Sequence, residues 1–259
     1  GEGRVELWSV EEVLESRPCV VSVMWGNNEV GTLEPVAEVA ERCAAAGVVF
    51  HSDAVQAFGR VPVRVDAVPV DLVSLSAHKL GGPKGVGALY VREGVALEPL
   101  VYGGGQERGL RPGTQNVAAA VGFAVAAELA VREMEAESAR LAGLRDRLEA
   151  GLRARLPDLE VNGAGAARLP HILNVSVPGA DLESLLVVLD LEGVAVSSGS
   201  ACQSGGVEPS HVLVAMGKAE PGRAALRLSL GWPTRAEEVD AAVSRIAAAV
   251  ERVRELAGT

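Results

Sequence analysis

The sequence predicts an α/β protein: a largely parallel sheet followed by a smaller C-terminal α+β unit. Three observations carry this expectation. Through the first half, short apolar runs bounded by turn residues alternate with stretches of helical period, the rhythm of strands joined by crossover helices. An Ala- and Glu-rich stretch from about Val117 to Leu156 holds no proline and reads as one long helix linking two domains. Beyond it, strand and helix signals return in a shorter pattern. We place the domain boundary between residues 135 and 136.

The elements follow in order. "CVVSVMW" reads as a buried strand, and "EPVAEVAERCAAAG" as a helix that stops at Gly47. "VVFHSD", "VDLVSLSAH" and "GVGALYVRE" are three further strands. The glycine-rich loop "YGGGQERGLRPGTQN" leads into the long helix. After it come a strand in "HILNVSVPG", a helix in "ADLESLLVVLDLEG", and a strand then a loop in "VAVSSGSACQSGG". A helix in "PSHVLVAMG", a strand in "AALRLSLG" and an amphipathic helix from Thr234 complete the smaller unit. The opening segment "GEGRVELWSVEEVLE" lacks the look of a natural start, and we expect the polypeptide to begin partway through a domain.

Bulk properties exclude several classes. At 259 residues, 48% hydrophobic and 22% charged, the chain can bury a sizeable core and has the composition of a globular protein. Its net charge of −10 opposes phosphate binding over a broad surface, which argues against a nucleic-acid protein. No apolar run is long enough to span a bilayer, and no signal-like segment opens the chain. Three cysteines without a CxxC pair fit neither a disulfide scaffold nor a zinc knuckle, and a reducing cytoplasm is the expected compartment.

In an open α/β sheet, ligands gather beyond the carboxyl ends of the strands. Asp53 ends one such strand, and Ser76, His78 and Lys79 end another, in "SAHKLGGPKG". The spacing is not that of a phosphate loop, because Lys79 precedes the glycines and Lys84 is followed by Gly85. A lysine beside a turn is ordinarily a solvated charge. At the end of an apolar strand, however, Lys79 would be partly desolvated, which lowers a lysine's pKa toward nucleophilic use on an aldehyde cofactor. Such a cofactor would also need an anion site, which Ser76 and His78 could form, and a carboxylate for its ring nitrogen, which Asp53 could be. An Asp after a strand is equally a common helix N-cap, so "HSDAVQ" alone leaves both readings open. Cys19 and Cys43 read as small buried hydrophobes, whereas Cys202 lies among Ser and Gly with little to pack against.

Taken in order, "VSVMWGNNEVGTLEPV", "HSDAVQAFG", "SLSAHKLGGPKGVGALYV", "YGGGQERGLRPGTQN", "SSGSACQSG" and "LRLSLG" resemble the NifS/IscS-type cysteine desulfurases, which are fold-type I pyridoxal-phosphate enzymes. The resemblance runs from about Pro18 to Trp232. It implies a fold-type I large domain, incomplete at its N-terminus, over residues 1–135, and a small domain carrying the cysteine loop over residues 136–259. It further implies that Lys79 anchors pyridoxal 5'-phosphate covalently and moves the substrate's Cα proton. Asp53 would keep the pyridine nitrogen protonated, while Gln56 and Asn28 would meet the phenolic oxygen. Ser76 and His78 would bind the phosphate, and Thr114 would reach the phosphate of a partner subunit, which implies a homodimer. Asn28 and Arg227 would contact the substrate, Arg227 by forking onto its carboxylate. Cys202 would take the sulfur of L-cysteine as a persulfide, release L-alanine, and hand the sulfur to an acceptor or iron–sulfur scaffold protein in the cytoplasm. A related aminotransferase, a selenocysteine lyase and an inactive dimerisation or scaffold-binding module are the other readings.

The family's phosphate loop and its ring-stacking histidine belong to a portion preceding this region. None of His51, His78, His171 and His211 matches the stacking position. We therefore expect weak cofactor binding and little turnover from this chain alone.

Overall fold

The computed structural model describes residues 1–198, 210–220 and 222–258. The chain divides into two compact units. One comprises Val5–Trp25 and Glu34–Met134, and the other Gly1–Arg4, Gly26–Leu33 and Glu135–Thr259.

The first unit runs α1 (Leu7–Glu15), β1 (Val20–Ser22), α2 (Val36–Ala46), β2 (Val49–Asp53), β3 (Leu72–Ser76), β4 (Gly87–Val91) and the start of α3 (Val117–Arg155). Its sheet has the order β1-β2-β3-β4; the first two pairings are parallel and the last is antiparallel. The regular part of β1 is three residues long, yet the expected run continues beside β2. Val23 donates to the His51 carbonyl at 3.1 Å and Trp25 to the Asp53 carbonyl at 2.8 Å. α2 buries Val36, Val39, Ala40 and Cys43, one helical stripe, on the side of β2 that carries the fully buried Phe50. Gly47 ends α2 at φ +66°, a left-handed position that a side chain would strain.

α1 was not expected, because its charged opening hides a short amphipathic turn. Cys19 is exposed rather than buried, since it precedes β1; Cys43 is buried, and burial pushes its thiol pKa up.

The second unit adds β5 (Glu160–Val161), β6 (Ile172–Pro178), α4 (Leu182–Leu191), α5 (His211–Met216), β7 (Arg223–Ser229) and α6 (Ala236–Ala257). β5, β6 and β7 form an antiparallel sheet in that order. Leu173, Val175 and Val177 of β6 meet Leu148 and Leu152 of α3, Leu185 and Leu189 of α4, and the stripe Val239, Val243, Ile246, Val250 and Val253 of α6. α3 crosses α6 closely at Gly151, where a Cβ would stand 2.7 Å from a methyl of Val243. In the segment "VAVSSGSACQSGG", expected to open as a strand, the described residues form a single bridge, Ser197 with Arg227.

Candidate active site

The sheet of the first unit has one covered face and one open face. On β2, Phe50 and Ser52 are buried, while His51 is half-buried and Asp53 exposed on the other side. Pairing aligns Ser22 with His51 and Asp53 with Ser74, so these side chains share the open face. Ser76, two residues beyond Ser74, continues it.

At the carboxyl end of β2, Asp53 is fixed by its backbone and its side chain. Its carbonyl accepts from Trp25, and its Oδ1 accepts from the Val55 amide at 2.8 Å, the local turn expected of an Asp after a strand. Among the described residues Asp53 forms no ion pair, which leaves its carboxylate free for a cationic partner. Gln56, half-buried, follows in the same turn.

At the end of β3 the chain enters a 3-10 turn, Ala77–Leu80, closed by Gly81 at φ +78°. The Ser76 hydroxyl lies 2.7 Å from His78 Nδ1, and Lys79 is the next residue. Glycines make this turn possible by close approach. A Cβ on Gly82 would meet the Ala77 carbonyl at 3.0 Å, and one on Gly87 would meet the Leu75 carbonyl at 2.6 Å. The Lys79 side chain is exposed rather than partly desolvated, because the turn carries it past the end of the apolar strand. Thr114 stands in the exposed loop before α3.

The second unit holds the other candidates. The turn Gly26–Gly31 is built on Asn27, whose Oδ1 accepts from Glu29 and Val30 at 2.8 and 3.0 Å. Gly31 closes it at φ +81°. The Asn28 carbonyl accepts from Arg227 Nη1 at 3.0 Å, so two residues 199 apart in sequence meet. Arg227 also exchanges backbone hydrogen bonds with Ser197, at 2.7 and 3.3 Å. Cys202 lies outside the described residues.

The structure thus joins Ser76, His78 and Lys79 in one turn near Asp53 and Gln56, and joins Asn28 with Arg227 in the other unit. Residue-by-residue reading missed three groups. His51 spans Ser22 and Ser74, through Nδ1 at 2.7 Å and Nε2 at 2.8 Å. Glu29 is buried and accepts a hydrogen bond from Ser210, the N-cap of α5. Ser197 pairs with Arg227. The polar alternation of His51 and Asp53 was the one signal available for the first of these.

Residues 1–242 match the family described as Aminotransferase class-V. Cysteine desulfurase IscS of Clostridium botulinum is 43% identical over 258 residues, covering 98% of this chain and 65% of that protein. The IscS-like cysteine desulfurase of Mycobacterium tuberculosis is 46% identical over 260 residues, covering 99% of this chain and 66% of that one. Among solved structures, the NifS-like protein from Rickettsia africae superposes with a TM-score of 0.89 at 31% identity, covering 96% of this chain and 68% of that chain. DndA from Streptomyces lividans gives 0.73 at 43% identity, covering 88% and 65%. The chain therefore spans about 65% of the length of the curated relatives it matches. From its sequence, its fold and the groups at its strand ends, the chain belongs to the class-V aminotransferase family, as a NifS/IscS-like member.

Proposed function

We propose that this chain carries the chemical centre of a pyridoxal-phosphate-dependent cysteine desulfurase. The observation that carries the reading is the union of Asp53, a carboxylate that forms no ion pair among the described residues, with the Ser76–His78–Lys79 turn on neighbouring strand ends. This donor set fits the cofactor: an amine for its aldehyde, a carboxylate for a protonated ring nitrogen, and a hydroxyl with an imidazole for its phosphate. Bound pyridoxal 5'-phosphate supplies an aldehyde for amines and a sink for the electrons of a substrate carbanion.

The remaining work falls to the chain. Lys79 holds the cofactor and moves the Cα proton of L-cysteine, and its exposed amine is accessible for both tasks. Asp53 keeps the ring nitrogen charged, and Gln56 and Asn28 donate toward the phenolic oxygen. Arg227, its guanidinium oriented through the Asn28 carbonyl, forks onto the substrate carboxylate. The Cys202 thiolate bonds to the substrate sulfur as the Cβ–Sγ bond breaks. The electron pair stays with the carbon skeleton, which takes a proton and leaves as L-alanine, while the sulfur remains on Cys202 as a persulfide. A sulfur-acceptor or iron–sulfur scaffold protein then receives it.

Further proposals rest on the resemblance alone: a homodimer in which Thr114 reaches the partner's phosphate, and a cytoplasmic setting. No helix among the described residues is long and apolar enough to cross a membrane.

The test is single-turnover labelling with ³⁵S-cysteine and pyridoxal phosphate. Label on Cys202, lost in Cys202→Ser, is expected even where repeated turnover is slow. Turnover of cysteine that survives Cys202→Ser with no ³⁵S on the protein, or selenide release when selenocysteine replaces cysteine in the same variant, contradicts the proposal in favour of a transaminase or lyase.

A further inference from the structure

His51 ties three strands together. Its Nδ1 lies 2.7 Å from the Ser22 hydroxyl on β1, and its Nε2 lies 2.8 Å from the Ser74 hydroxyl on β3. Ser22 is the register partner of His51, and Ser74 is the register partner of Asp53. The bridge therefore crosses the open face one strand position below the carboxylate proposed to meet the cofactor's ring nitrogen. Polar side chains are ordinary on this open face, but their alignment, one imidazole meeting a hydroxyl on each flanking strand, asks for a reason.

The chemistry supplies one. A neutral imidazole offers one donor and one acceptor, and a hydroxyl can answer either, so the two serines satisfy the ring whichever nitrogen bears its proton. The bridge is thus polar and rigid without being charged. The charged or titratable group facing it is Asp53, two residues on; the groups on the flanking strands are hydroxyls. Burial lowers the His51 pKa, against an opposite pull from Asp53, so near neutral pH the ring leans to the uncharged form. A cation at this place would pair with Asp53 and blunt its pull on a ring proton; an apolar residue would leave only the backbone ladder, with no side-chain tie across β1, β2 and β3, at the level where Asp53 must be aimed.

We infer that His51 is a positioning residue, which through its bridge to Ser22 and Ser74 holds the Asp53 carboxylate in place and unpaired for a protonated cofactor nitrogen. This rests on the proposed role of Asp53.

The test uses the chain loaded with pyridoxal phosphate labelled with ¹⁵N in its ring, and reads the protonation of that nitrogen against pH. In the wild type the nitrogen stays protonated to high pH, and Asp53→Ala removes this. His51→Phe, which keeps ring volume but no hydrogen bond, lowers the midpoint by about one pH unit, a tenfold change in proton affinity. The double variant Ser22→Ala with Ser74→Ala breaks the bridge more gently and shifts the midpoint the same way, while His51→Gln restores part of it. A residue that only stabilises the fold would change melting temperature without moving this midpoint. An unchanged midpoint in both His51→Phe and the double serine variant, with cofactor bound on Lys79, overturns the inference alone. A wild type that binds no cofactor on Lys79 overturns the functional proposal, and the inference falls with it.

Discussion

The two units dispose of their apolar residues differently. In the second, strands and helices close on one another, and Leu173, Val175, Leu185, Leu226, Ile246 and Val250 are all shut away from solvent. In the first, the stretch Val117–Ala127 holds no polar side chain, yet Val117, Val121 and Val125 are 67%, 58% and 50% exposed. Leu100, Val101 and Tyr102 in the preceding loop are exposed as well. A helix apolar all round is ordinarily a buried one. The comparison teaches that the groups proposed to hold a cofactor sit on the unit that, beside its own core around Phe50, Val39 and Val73, leaves an apolar stretch in the open.

Substitutions sharpen this contrast. The largest effect belongs to Leu226→Ala, which opens a cavity in the closed core and should cost about 2–5 kcal/mol by denaturant unfolding. Next comes Gly151→Ala. Helix propensity favours the change, but the new Cβ would meet the stiff Val243 at 2.7 Å, and a net loss of about 1 kcal/mol is expected. Asp181→Ala removes the N-cap of α4, whose carboxylate accepts from the Ser184 amide at 2.8 Å, at a cost of about 1 kcal/mol. That hydrogen bond lowers the Asp181 pKa. Its contribution is therefore complete above the carboxylate's unfolded pKa and fades as pH falls through the folded one, so wild type and variant should converge in acid. Smallest is Val121→Ser on the exposed stretch of α3, within about 0.5 kcal/mol of wild type. If Val121→Ser destabilised the chain as much as Leu226→Ala, the contrast between the units would be broken.

How much of this was legible in the sequence follows the range of the interactions. β2, β3 and β4 announced themselves as apolar runs between turns, and the Ser76–His78–Lys79 turn was visible because its contacts are local and its glycines mark it. Gly47 and Gly217 punctuate α2 and α5 as helix-ending glycines do. What stayed hidden depends on register. The Ser22–His51–Ser74 bridge needs three strands aligned, and the Arg227–Asn28 contact joins residues 199 apart. β5 is only two residues long and borrows its pairing from β6, so no local pattern could reveal it. Lys79 was expected to lose solvent because its strand is apolar; the 3-10 turn, set by Gly81, places it beyond that strand. In the run from Val194, the described residues meet β7 in a single bridge at Ser197.

The central proposal is that Lys79, in the turn that follows the strand paired with that of Asp53, is the cofactor's covalent anchor. Borohydride reduction of the chain after addition of pyridoxal phosphate, followed by peptide mapping, tests it directly. The account predicts a reduced cofactor on Lys79, absent in Lys79→Ala and weakened in Asp53→Ala. Modification spread over Lys84 and Lys218 as readily as Lys79, and unaffected by Asp53→Ala, would contradict it.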